Sequence, residues 1–152
     1  MTAYSFKFHQ LRIGTSIIHR PLLQVLMTGP TKRLETIMLV DSGADVSMIQ
    51  LELAEQLGLP LNKVETTGGI SGDLPVYRTA VQAQIRYGDM LLPLLQLPIQ
   101  VPTEHGRLPL ALLGRDLFFH EFDIDFRMGY TPTKGKFVLR PVGHRRKAED
   151  YR

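Results

Sequence analysis

At 152 residues, with 43% hydrophobic and 22% charged side chains, the chain has the make-up of one globular domain with a real core. It contains no cysteine, which excludes thiolate metal sites, cysteine nucleophiles and disulfide staples. The formal net charge is +3, and much of the excess sits in His144-Arg145-Arg146-Lys147, which reads as part of a solvated, flexible basic tail over residues 142–152.

The first residues, Met1 to His9, show no basic segment followed by an apolar run, so no signal peptide is expected. Met90 to Ile99 is apolar but too short and too broken by Pro93 and Pro98 to span a bilayer, and a cytoplasmic protein without membrane contact follows as the expectation. Short apolar runs separated by Gly and Pro signals then predict a mainly β protein. Leu22 to Met27 reads as a strand, Thr28-Gly29-Pro30-Thr31 as its turn, and Leu34 to Val40 as the return strand. The run Ile37-Met38-Leu39-Val40 predicts a strand covered on both faces.

Gln50 to Leu57 is a helical candidate with Leu53, Ala54 and Leu57 on one side; Gly58 stops it and Pro60 prevents its continuation. Thr66 to Gly72 is a Gly-rich hairpin tip. Tyr77, Thr79, Val81, Ala83 and Ile85 alternate with polar residues as one face of a strand. Further strands are expected at Leu94 to Val101 and Leu110 to Leu113, then one or two helical turns at Arg115 to His120. Phe122 to Phe126 and Phe137 to Leu139 are the last strand candidates, able to form an intrachain hairpin over 121–140.

The segment that carries chemistry is Asp41-Ser42-Gly43, delivered by an apolar strand. A carboxylate at the end of a core strand is costly unless its position is used. Alone, the tripeptide reads as an ordinary turn. Its surroundings change that reading. Met38-Leu39-Val40-Asp41-Ser42-Gly43-Ala44-Asp45 resembles the active-site signature of retropepsin-like aspartic proteases, the single-domain, retroviral type. Leu112-Leu113-Gly114-Arg115-Asp116-Leu117 resembles their second signature, and Gly68-Gly69-Ile70-Ser71-Gly72 between the two looks like their flap tip. The resemblance covers residues 21–119, within a protease domain of residues 1–141. The C-terminal hairpin is similar to cellular or prokaryotic relatives more than to viral ones.

The resemblance implies an acid-protease β-barrel with a flap hairpin and one or two short helices. Asp41 matches the catalytic aspartate, one from each chain of a homodimer, and hydrolysis of peptide bonds would proceed by water activation between the two. Ser42 matches a hydroxyl that bonds across the dimer, Gly43 the glycine facing the substrate chain, and Ala44 completes the loop. Asp45 and Arg115 match a structural pair that buttresses the loop, and Leu113 and Gly114 belong to the second signature. Gly68, Gly69, Ile70, Ser71 and Gly72 match the flap that closes over a protein or peptide substrate. Taken without the resemblance, Asp45 with Arg115 is a surface ion pair and the flap an ordinary hairpin tip. A non-catalytic, dimeric peptide-binding module on the same fold is the alternative reading.

No cofactor is indicated. The five histidines lack metal-ligand spacing, no His follows His120-Glu121 at the zinc-protease position, and Gly68 to Gly72 lacks the Lys and Ser/Thr of a phosphate loop. A nucleic-acid partner is not expected, since only the basic tail would support one. Asp123 and Asp125 alternate with core positions and are expected to face solvent.

Overall fold

The computed structural model describes residues 2–68, 73–127 and 135–143. In chain order the strands and helices are β1 (Tyr4–Lys7), β2 (His9–Ile13), β3 (Ser16–Arg20), β4 (Leu22–Thr28), β5 (Arg33–Val40), β6 (Ser47–Met48), α1 (Leu51–Leu57), β7 (Val64–Thr67), β8 (Leu74–Tyr87), β9 (Met90–Leu91), β10 (Leu95–Pro102), β11 (Ala111–Leu113), α2 (Phe118–Glu121), β12 (Phe122–Arg127) and β13 (Lys136–Pro141). They fall into two compact units, Leu23–Asp116 on one hand and Met1–Leu22 with Leu117–Arg152 on the other.

The Leu23–Asp116 unit is built on a closed six-stranded barrel. The ring runs β10, β6, β11, β5, β4, β8 and returns to β10 through the long antiparallel β8–β10 ladder, Leu95↔Ala83 to Pro102↔Val76. Alternate side chains turn inward from each wall: Leu23, Val25 and Met27 from β4, Val81, Ala83 and Ile85 from β8, Leu97, Ile99 and Val101 from β10. This is the period-two pattern that a barrel requires. Closure also removes free sheet edges around the ring.

One expectation fails here. Ile37 to Val40 does not have both faces covered: Met38 and Val40 are buried, but Ile37 is 48% exposed and Leu39 half-buried. The neighbours β4 and β11 occupy the edges of β5, and a barrel wall has one inside. An apolar run cannot report which of its faces is covered.

α1 begins one residue later than expected and buries Leu51, Ala54 and Leu57, with Leu53 only half-buried. Gly58 ends it at φ 73°, its N–H donating to the carbonyls of Ala54 and Glu55. That left-handed cap costs a glycine little and a side chain more. β7 and β8 form the arms of the Gly-rich hairpin, paired from Val64↔Tyr77 to Thr67↔Leu74. Of the flap candidates Gly68 is described, whereas Gly69, Ile70, Ser71 and Gly72 lie outside the described residues, as do residues 144–152 of the expected tail.

In the other unit, β12 and β13 form the hairpin that the sequence suggests, from Phe122↔Pro141 to Arg127↔Lys136. β1 adds a third strand along β13, Tyr4↔Leu139 to Lys7↔Lys136, which the sequence reading did not include. Phe137 is fully buried there, with the rings of Phe6 at 5.2 Å and Phe8 at 5.7 Å. α2 places Phe118 against Phe122 at 5.4 Å. Among the described residues β2 and β3 pair only with each other, His9↔Arg20 to Ile13↔Ser16.

Candidate active site

Asp41 stands where β5 leaves the barrel. β5 and β11 run parallel, pairing Met38↔Ala111 to Val40↔Leu113, and the Asp41 N–H extends that ladder by donating to the Leu113 carbonyl at 2.9 Å. The chain then turns sharply. The Ala44 N–H donates to the Asp41 carbonyl at 3.2 Å, and the Gly43 N–H donates to Asp41 Oδ1 at 2.9 Å. The carboxylate is therefore oriented by its own loop, half-buried, with Ser42 and Gly43 exposed beside it. A Cβ on Gly43 would lie 3.2 Å from Asp41 Oδ1, close enough to disturb that bond.

The two distant signatures form one structural piece. Leu113 accepts from Asp41, the Arg115 N–H donates to the Ala44 carbonyl at 2.8 Å, and the Asp116 N–H donates to the Asp45 carbonyl at 2.8 Å. Between them the Gly114 N–H donates to Ser47 Oγ at 3.0 Å. Residues 113–116 thus run behind the aspartate loop and bond to it at every step. Gly114 has no alternative residue: a Cβ there would sit 2.6 Å from the Val46 carbonyl carbon and 2.9 Å from the Ala44 oxygen, both backbone atoms.

Arg115 also meets Asp45 through its guanidinium. The pair is exposed, the side chains at 56% and 79%, and such pairs contribute roughly 0–1 kcal/mol. The backbone bonds tie residues 113–116 to the loop independently of this ion pair. Ser47 was missed by the sequence reading. It is fully buried, and it connects three elements: β6 lies between β10 and β11, and the Ser47 hydroxyl holds the glycine after β11. The available signal was a hydroxyl between Val46 and Met48-Ile49, in a run otherwise apolar.

The segment leading into β11 is tied to α1. The Gly106 N–H donates to Glu52 Oε1 at 2.7 Å, and His105 Nε2 lies 2.8 Å from Glu55 Oε1. Hydrogen bonds from its own backbone N–H and from Gly106 hold the Glu52 carboxyl below its usual range. A cavity of about 330 Å³ opens elsewhere on the barrel, between Thr28–Pro30, Leu59, Pro60 and Ala80–Gln82, and includes none of the loop residues. Among the described residues no group of three or more His, Asp and Glu side chains could hold a metal ion, and no helix is long and apolar enough to cross a membrane.

A family model described as aspartyl protease matches residues 23–117, spanning both signatures and the barrel between them. No curated protein matches the chain.

Proposed function

The chain belongs to the retropepsin-like aspartyl proteases, and we propose on that premise that it is an aspartic endopeptidase completed by two protomers, each contributing Asp41. The observation that carries this reading is the isolation of one oriented carboxylate on a braced loop. Asp41-Ser42-Gly43 occurs once in the chain, so a pair of such carboxylates needs a second copy.

The chemistry follows from proximity. Two carboxylates close together cannot both ionise cheaply, so the pair holds one proton between them, an arrangement for which this enzyme class is the standard example. The ionised partner takes a proton from a bound water, which attacks the peptide carbonyl. The protonated partner donates a hydrogen bond to that carbonyl oxygen and stabilises the charge that develops there. The Gly43 N–H on Oδ1 supports this division of labour, because it occupies one oxygen of Asp41 and leaves Oδ2 for the shared proton and the water. In this reading the exposed Ser42 hydroxyl bonds to the partner loop, and the Asp45–Arg115 pair and Gly114 keep Asp41 in place.

The test compares wild type with Asp41→Asn on a mixed peptide library, reading cut sites and bound peptides together. Asparagine is nearly isosteric and keeps hydrogen-bonding capacity but is no general base. Hydrolysis is expected from the wild type only, with fold and pairing unchanged in the variant. Peptide capture without cleavage by both proteins would instead mean a binding module, and equal hydrolysis by both would show that Asp41 is not the catalyst.

A further inference from the structure

The β2–β3 ribbon takes no part in the proposed chemistry, and three of its properties converge. Among the described residues it is a sheet of two strands that hydrogen-bonds to no other strand, which leaves the outer edge of each strand without a described strand partner. Such edges are templates for another chain, and a two-stranded hairpin by itself is marginal in water. Its charge is one-sided: residues 1–34 contain no Asp or Glu, while the ribbon carries Arg12, Arg20, His9 and His19. None of the ion pairs among the described residues reaches Arg12 or Arg20. Finally, Ile17 is 52% exposed directly across from Arg12.

The register distributes these groups over both faces. Arg12↔Ile17 and Gln10↔His19 share one face; His9↔Arg20 and Leu11↔Ile18 share the other. A strand laid along β3 therefore meets Ile18 and Arg20 on one face and Ile17 on the other, and a strand laid along β2 meets Arg12 on one face and Leu11 on the other. We propose that this ribbon is a docking arm for an acidic protein segment with interspersed β-branched residues, which adds to it as a further strand. Main-chain hydrogen bonds would supply the seat, and the carboxylates would select it. The ribbon of a second copy is a poor occupant, because Arg12 and Arg20 would face their own kind. A nucleic-acid backbone would satisfy the arginines but leaves the exposed Ile17 unexplained, and the ribbon carries no Phe, Tyr or Trp on which a base could stack. The proposal is independent of the catalytic reading.

The test uses the full chain carrying Asp41→Asn, so that binding is measured without cleavage. The probes are a fluorescein-labelled peptide of alternating glutamate and valine, the same peptide with lysine for glutamate, and a single-stranded DNA oligonucleotide of equal charge to the first. The glutamate–valine peptide is expected to bind, to weaken with added salt, and to lose at least ten-fold in affinity with Arg12→Glu/Arg20→Glu. Ile17→Thr is expected to weaken it as well. Equal binding with and without the charge reversal overturns the proposal. So does equal binding of the lysine peptide, or tighter binding of the oligonucleotide that the same variant abolishes. Should the reversed variant fail to fold, Arg12→Gln/Arg20→Gln is measured in the same way, and unchanged affinity there overturns the proposal equally.

Discussion

Asp41 owes its orientation to residues that carry no charge. The Leu113 carbonyl, the Gly43 N–H and the buried Ser47 hydroxyl each hold the loop through a single hydrogen bond. Ser47→Ala would leave the buried Gly114 N–H without its acceptor, a loss of about 1–3 kcal/mol, measurable by urea unfolding. Asp45→Asn removes only an exposed ion pair and should cost less than Ser47→Ala in the same assay. The opposite order would show that the ion pair is what braces the loop. Gly114→Ala pushes a methyl into the Val46 and Ala44 backbone, which cannot rotate away as a side chain would. It should lower the melting temperature and abolish hydrolysis together, whereas retained activity would mean that the loop tolerates displacement.

At the level of elements, stops and pairings are what the sequence announces best. Gly58 ends α1 at φ 73°, and a Cβ there would also press on Thr31 at 2.6 Å. Gly58→Ala is therefore expected to destabilise the chain by about 1 kcal/mol or more, from the left-handed backbone alone. The β12–β13 ladder offers a pH test. The Arg127 guanidinium beside Asp125, with Arg140 near it, holds that carboxyl below its usual range. A carboxyl whose folded pKa is lowered stabilises the fold above its unfolded pKa, and this contribution fades as pH falls through the folded value. Wild type should therefore melt above Asp125→Asn at neutral pH, and the two curves should converge in strong acid. A difference that persists there would assign the effect to packing rather than to charge.

For the whole molecule, the single Asp41 per chain makes stoichiometry the sharpest measurement. If each active centre needs two of them, mixing wild type with Asp41→Asn under exchange should lower activity as the square of the wild-type fraction. A linear fall would mean that one chain suffices. A pair sharing one proton also predicts a bell-shaped rate profile with its optimum on the acidic side of neutral, reporting values that belong to the pair. A rate climbing steadily into alkaline pH would point to another catalyst.

The chain by itself determined its mainly β class, the strand that delivers Asp41, the helix stopped by Gly58 and the family to which residues 23–117 belong. These are legible because alternation, turn residues and short motifs are local. Other features rest on groups far apart in sequence. The contact of Gly114 with Ser47 spans 67 residues, and nothing near either residue announces it. The third strand, β1, pairs with β13 from the opposite end of the chain, and its four residues carry too short a pattern to be read alone. Which face of Ile37 to Val40 is covered depended on barrel closure, because an apolar side chain records its own solubility and not the side on which its neighbours will lie.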